Sequence, residues 1–335
     1  MKFEPISKVP GFKFGHAQNQ EAFTGCTVIL CDEGSIGGVD QRGGSPGTRE
    51  TDLLRPLHMV EIVNAILLTG GSAFGLDAAT GVMQFLEEKG KGVDTGFARI
   101  PIVPGAVIFD LGFGNSKIRP DAAMGYEACK NASDQEPQQG NYGAGIGATV
   151  GKILGNGQAM KGGIGHAALQ IGGGIWIGAL MVVNALGDIV NPSNRTIIAG
   201  ARTIKKSIIK IGESDLFANT ISVMGSFIGQ KSLSFSAKQN TVIGAVLTNA
   251  KLSKDETNKL AQSGQNGLAL SIQPSHTMFD GDTMFAVSSQ KKSSNINSVA
   301  AFAPIVVAQA IVNAVTFAES LGGIPSASDL NQVEK

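Results

Sequence analysis

Short apolar runs rich in β-branched residues alternate along this chain with small-residue patterns at helical spacing, and that alternation limits the folds open to it. Residues 27–31, 100–103, 106–111, 175–183 and 242–247 are bounded by Gly or Pro and predict buried strands. Residues 53–68, 72–89, 121–132, 253–271 and 298–320 predict helices. Ser253 followed by Glu256 forms a capping box at the start of the fourth helix, and Ser72 is a candidate cap for the second. The mixture predicts sheets sandwiched with helices. A polar, Ser/Lys-rich stretch over 191–240, carrying Lys205, Lys206, Lys210, Lys231 and Lys238, has little sustained strand pattern. It is expected to be an excursion or linker leading to Thr241.

At 335 residues, 42% hydrophobic and with 45 glycines, the chain is long enough for a large compact core with many close backbone approaches. Its 27 basic and 27 acidic residues balance, so no electrostatic footprint for nucleic acid or anionic membrane is present. Cys26, Cys31 and Cys129 lack a C-x-x-C pair and read as reduced, buried thiols of a cytoplasmic protein. Residues 1–14 contain Glu4 and two prolines and do not read as a signal peptide. Residues 299–318 match a bilayer span in length, but Pro304, Gln309 and Asn313 interrupt them. With Ser298 before them and Gly322 and Gly323 after, they read as a capped core helix.

Two glycine-rich runs resemble nucleotide-binding motifs only superficially. Gly143-Ala-Gly145-Ile-Gly-Ala148 fits G-x-G-x-x-A but lacks a preceding strand and a following acidic residue. Gly70-Gly71-Ser72-Ala-Phe-Gly75 lacks the G-K-[ST] ending of a phosphate loop. Both read as tight packing corners.

Thr241 stands where the polar stretch meets a buried-strand pattern. It fits an ordinary loop-to-strand junction, and it also fits a nucleophile. A threonine hydroxyl is weak without a base, and cleavage of the Asn240–Thr241 bond would release an α-amine on the same residue, with a pKa of about 8, to serve as one. The His276-Thr277-Met-Phe-Asp280-Gly281-Asp282 cluster has three readings: a divalent-metal site, a group that orients a catalytic hydroxyl or ammonium, or a hydrogen-bonded turn. His16, His58 and His166 have no local catalytic company and read as structural.

Seven segments occurring in order carry a resemblance. They are Arg42-Gly-Gly-Ser-Pro-Gly-Thr-Arg-Glu-Thr-Asp52, Leu68-Thr-Gly-Gly-Ser-Ala-Phe-Gly-Leu-Asp-Ala-Ala79, Ile100-Pro-Ile-Val-Pro104 with Ile108-Phe-Asp-Leu111, Gly143-Ala-Gly-Ile-Gly-Ala-Thr-Val-Gly-Lys152, Val182-Val-Asn184-Ala-Leu-Gly-Asp188, Asn240-Thr241-Val-Ile-Gly244 and His276 to Asp282. Over about residues 10 to 325 the chain resembles the DmpA-type aminopeptidases (L-aminopeptidase/D-esterase) and their relatives, the nylon-oligomer hydrolases.

The resemblance implies an αββα sandwich of the DmpA/ornithine acetyltransferase type, an N-terminal-nucleophile hydrolase. It also implies a single precursor that cuts itself into residues 1–240 and 241–335, which stay associated. Thr241 matches the nucleophile, threonine being the nylon-hydrolase choice where the peptidases use serine. Asn184 matches an oxyanion-hole amide, Lys152 a lysine that favours the hydroxylate or moves its proton, and Asp280 and Asp282 an acidic pair orienting nucleophile and amine. Phe109 stands where some relatives carry an aromatic hydroxyl, so a substrate or oxyanion hydrogen bond is lost or supplied elsewhere. The expected activity is hydrolysis of 6-aminohexanoate oligomers, with an aminopeptidase on small peptides, β-peptides or aminoacyl amides as the alternative. An ornithine acetyltransferase or an inactive binding protein on the same fold are remoter readings. No cofactor and no metal is expected. The expected partners are a small amide substrate, the cleaved fragment and further copies of the chain in a homo-oligomer, taken as a tetramer, with neither nucleic acid nor membrane.

Overall fold

The computed structural model describes residues 1–206, 209–226, 229 and 240–333. Two five-stranded sheets lie face to face. The first contains β1 (Phe12–Asn19), β2 (Thr24–Cys31), β4 (Thr48–Arg49), β5 (Ala65–Thr69) and β6 (Gly105–Val107), in the order β1-β2-β5-β6-β4. The second contains β3 (Ile36–Gln41), β7 (Gly163–Ile171), β8 (Ile175–Asn184), β9 (Thr241–Lys251) and β10 (Thr283–Ser293), in the order β7-β8-β9-β10-β3. Helices α1 (Ala78–Glu88) and α2 (Ala122–Lys130) cover the first sheet, and α3 (Lys254–Ser271) and α4 (Ile296–Thr316) cover the second. The result is the αββα sandwich that the resemblance implies.

Strand alternation explains the layering, because successive side chains on a strand point to opposite faces. On β9, Ile243, Ala245 and Leu247 enter the core between the sheets, while Val242, Val246 and Ala250 pack under the helices. On β8, Leu180 and Val182 face the other sheet, and Ala179, Met181 and Val183 face the helices. Both strands are covered on both faces, so their sequences read as continuous apolar runs and not as alternation.

Several elements differ from expectation. Residues 53–68 are not a helix: a 3-10 turn, Asp52–Leu54, leads through an irregular stretch to β5. Pro56 breaks the helical path, and the wholly buried Ala-Ile-Leu-Leu-Thr of β5 has no period that tells strand from helix. Within 100–103 only Ile100 is in a strand, in the small Val93–Asp94/Arg99–Ile100 hairpin. The following residues run beside β5 through the bonds Asn64 N to Ile102 O and Leu67 N to Pro104 O, and Pro101 and Pro104 cannot donate to a ladder. Ser72 does not cap α1: it has φ +54° and opens a 3-10 segment, Ser72–Asp77, that precedes the helix. The Ser253/Glu256 capping box is present at the start of α3.

Helix α4 is long and apolar enough to cross a membrane, and half of that stretch is buried within the protein. Val299, Ala303, Val306, Ala310 and Ala314 pack it into the second sheet's helical layer. In the stretch expected to be a linker, Ile197–Ala199 pairs with Asp188–Val190, Ile204–Lys206 pairs with Ile209–Ile211, and a helix spans Thr220–Gly225. The Asp188 carboxylate ties that excursion to the body by accepting from Ala201 N at 2.8 Å and from Thr220 N and Oγ1 at 2.6 and 2.8 Å. Residues 207–208, 227–228 and 230–239, which include Lys231 and Lys238, lie outside the described residues.

Candidate active site

Thr241 is the first residue of β9, and its partner across the ladder is Asn184, the last residue of β8. Thr241 has the strand parity of Ile243 and Ala245, and Asn184 that of Leu180 and Val182, so both belong to the face that meets the other sheet. The two polar residues therefore sit together at the end of the inter-sheet core. Thr241 Oγ1 donates to Asn240 O at 2.5 Å, and the same carbonyl accepts from Gly281 N at 3.1 Å. A Cβ on Gly281 would stand 2.8 Å from Thr241 Oγ1 and 2.7 Å from Ser45 O, which explains why the middle of Asp-Gly-Asp carries no side chain.

Asn240, Thr241, Asp280 and Asp282 are almost wholly buried. Asp280 Oδ2 accepts from Thr277 N at 2.9 Å and from Thr277 Oγ1 at 2.5 Å. Asp282 Oδ1 accepts from Val242 N at 2.9 Å, and its Oδ2 accepts from His276 N at 3.0 Å and lies 2.9 Å from His276 Nδ1. Burial first, and then the Asp282 charge, push the Asp280 carboxyl up from its ordinary range, against the Thr277 bonds and Lys152. For His276 burial works downward, yet the Asp282 hydrogen bond and charge outweigh it and raise the imidazole. His276, whose part in the cluster the sequence leaves open between three readings, is joined directly to Asp282.

Lys152 Nζ donates to Asn184 Oδ1 at 2.8 Å and to Asn184 O at 3.0 Å, while Asn184 Nδ2 donates to Phe109 O at 3.1 Å. Burial pushes the Lys152 ammonium down to about 7, with Asp280 opposing. At neutral pH such an amine exchanges protons readily, as a group that moves a hydroxyl proton must. Phe109 thus meets the site through its main-chain carbonyl, and it also lines the space beside Thr241. The next residue, Asp110, accepts from Gly71 N and Thr24 Oγ1, each at 2.7 Å, and burial raises its carboxyl against those bonds. A Cβ on Gly70 would fall 2.1 Å from Asp110 Oδ2, so this corner requires glycine.

Neither Asp110 nor the fully buried Lys161, whose Nζ donates to Ile146 O and Ala148 O at 2.8 Å, stands out in the sequence as part of the site. An isolated Asp or Lys in a motif gives no sign of burial. Gly43-Gly-Ser45-Pro-Gly47 has the G-x-S-x-G spacing, but it joins two strands and its Ser45 Oγ donates to Met278 O at 3.0 Å, so no strand-to-helix nucleophile elbow forms. Among the described residues no group of three or more His, Cys, Asp or Glu is placed to hold a metal ion.

A cavity of about 280 Å³ opens beside Thr241. A larger one of about 750 Å³ lies between β1, α2 and residues 131–142, and none of Thr241, Asn184, Lys152, Asp280 or Asp282 lines it. The space bordering the Thr241 hydroxyl is the one where chemistry at that hydroxyl can occur.

Layering of this kind is that of the N-terminal-nucleophile hydrolase fold, as solved structures bear out. The fold matches an L-aminopeptidase D-Ala-esterase/amidase from Ochrobactrum anthropi with a TM-score of 0.71 over 98% of this chain and 93% of that one, at 18% identity. A Burkholderia β-aminopeptidase matches with a TM-score of 0.67 over 99% and 93%, at 20% identity. The chain belongs to peptidase family S58, whose profile matches residues 4–327. It is 39% identical to a Mycobacterium leprae protein named an uncharacterized aminopeptidase, over 96% of this chain and 92% of that one. It is also 32% identical to a 6-aminohexanoate-oligomer endohydrolase of Paenarthrobacter ureafaciens, over 84% and 74%. The protein is accordingly a peptide or amide hydrolase.

Proposed function

We propose that this chain is a self-processing amide hydrolase with Thr241 as its nucleophile, acting on short oligoamides of the 6-aminohexanoate type. The observation that carries the reading is the Asn240 carbonyl, which meets Thr241 Oγ1 at 2.5 Å and Gly281 N at 3.1 Å on one oxygen. In the processing step Oγ1 attacks the Asn240 carbonyl carbon and gives up its proton to a base, for which buried Lys152 is suited. Charge developing on the carbonyl oxygen is met by the Gly281 N–H. The Asn240–Thr241 C–N bond then breaks, the nitrogen takes a proton and becomes the α-amine of Thr241, and water hydrolyses the Asn240 ester. In turnover the same hydroxyl attacks the substrate amide with the new amine as base. Asn184 serves as an uncharged oxyanion donor, and Asp280 and Asp282 hold the amine and the start of β9. Threonine at this position and the similarity to the endohydrolases support the oligoamide substrate.

A second reading, an aminopeptidase acting on free N-terminal amines, is favoured by the higher identity to the mycobacterial proteins. Intact-mass measurement tests the mechanism common to both. Fragments ending at Asn240 and beginning at Thr241 are expected, and a single uncleaved chain with full amidase activity would overturn it. Assay of linear 6-aminohexanoate oligomers beside aminoacyl amides separates the two substrates, and acetyl-ornithine with glutamate serves as the acyl-transfer control.

A further inference from the structure

Lys152 has a buried cationic neighbour that touches none of the reacting atoms. Lys161 is wholly enclosed, with Nζ donating to Ile146 O and Ala148 O, each at 2.8 Å, and standing 5.2 Å from the centroid of the Phe113 ring. Both carbonyls belong to the segment that delivers the site. Thr149, next to Ala148, donates its N–H to Asn184 Oδ1 at 3.0 Å, and Lys152 Nζ, further along the same segment, donates to that oxygen at 2.8 Å. Lys161 also faces Thr149 across the short Thr149–Val150/Met160–Lys161 ladder. One side chain thus pins the main chain immediately before the two donors that hold the amide oxygen of Asn184. Its counter-charge works at the other end. Asp110, whose charge acts on Lys161, accepts from Gly71 N and Thr24 Oγ1 and directly follows Phe109, whose carbonyl accepts from Asn184 Nδ2. A buried ion pair contributes little stability beyond that of apolar side chains of the same volume, so what this pair holds in place is the better account of it.

We propose that Lys161 is a positioning residue for the reaction: it clamps the segment carrying Thr149 and Lys152, with Asp110 as its counter-charge at the Phe109 end, so that both ends of the Asn184 side chain are held opposite Thr241. The proposal rests on the roles given above to Thr241, Asn184 and Lys152 and adds a residue that acts only through them. Charge supports the same link. Burial pushes the Lys152 ammonium down most; among the described charged groups Asp280 opposes that, Lys161 pushes it further down, and Asp110 opposes least. Lys161 therefore reaches the site in two ways, through the main chain it grips and through its field on the amine.

The test follows self-cleavage of the full chain, made in a cell-free pulse and transferred to buffers from about pH 6 to about pH 9, which bracket the amine. Lys161→Met keeps the volume and loses both donor and charge, while Lys161→Gln keeps a donor and loses the charge. The plateau rate is expected to fall at least about tenfold in Lys161→Met and less in Lys161→Gln. In both, the pH of half-maximal rate is expected to move up by about half a unit or more, because a cation has been removed from the field of Lys152. A wild-type plateau rate in folded Lys161→Met overturns the proposal. So does an unmoved pH profile in the variants that fold, even with a slower rate, because loose packing alone would slow the reaction without shifting its profile. Failure of both variants to fold, read by circular dichroism and proteolysis, overturns it too and leaves Lys161 a residue of the core alone. Thr241→Ala run in parallel keeps the two ideas apart: fragments from that variant defeat the nucleophile assignment, whatever Lys161 does.

Discussion

Lys152 Nζ holds both the side-chain and the main-chain oxygen of Asn184, at 2.8 and 3.0 Å. In its protonated form Lys152 can only donate, and Thr149 N donates to the same Asn184 Oδ1 at 3.0 Å, so the amide oxygen faces these donors and the NH₂ group is turned to the side where Phe109 O accepts. Together they fix which end of the asparagine can act as a donor.

Asn184→Ala is expected to lower kcat by about 10² or more, with KM changed less, because an oxyanion donor acts mainly in the transition state. Steady-state kinetics on one amide substrate decide this, and an unchanged kcat removes Asn184 from the chemistry.

Thr241→Ala should leave an intact chain with no amidase activity, whereas Thr241→Ser should still yield two fragments. Denaturing gel electrophoresis and mass spectrometry read the outcome. Normal fragments from the alanine variant would rule out attack by the Thr241 hydroxyl.

Burial holds Lys152 near 7, against 10.5 for the free side chain. The folded chain therefore binds fewer protons here than the unfolded chain between those two values, and this residue's contribution to stability rises with pH across that window. Below about 7 both states are protonated and the full cost of burying the cation remains. Denaturant unfolding of wild type and Lys152→Met at pH 7 and pH 9.5 should show the wild type gaining on the variant at the higher pH. Self-cleavage in a slow-processing background should accelerate as pH rises through about 7, where the amine becomes neutral. A flat profile would remove Lys152 as the base.

Asp280→Asn should depress both activity and processing while activity of the native protein withstands exhaustive EDTA treatment. The reason is that the Asp280 charge sits among cations supplied by the protein, Lys152 and the proposed Thr241 amine. Loss of activity in EDTA with recovery on adding zinc or manganese would make the His276 to Asp282 segment a metal site.

Part of the fold was legible where a helix announces its start: the Ser253/Glu256 box at α3 is a local signal that tertiary packing does not override. Helix α4 was legible as an apolar core helix but not at its ends, since Asn295 and not Ser298 caps it and it stops at Thr316, short of Gly322 and Gly323. β5 was misread because burial on both faces erases periodicity, and Ile100 to Pro104 because prolines let an extended segment lie beside a sheet without joining its ladder. The residues proposed for the site came through ordered motifs, but their geometry did not. That the Asn240 carbonyl meets Gly281 N, or that Gly71 N holds Asp110, the residue beside Phe109, depends on segments more than 35 positions apart along the chain. Backbone donors leave no mark on a sequence at all.

The order β7-β8-β9-β10-β3 gives a cut after Asn240 an unusual consequence. Two strands of the shorter piece, β9 and β10, would lie in the middle of the second sheet, clasped between β8 and β3 of the longer piece. Neither product could complete its own core, so the halves would stay interlocked without a covalent tie. Folding would be a unimolecular event before the cut and a bimolecular one after it, making recovery from denaturation dependent on protein concentration only in the mature form.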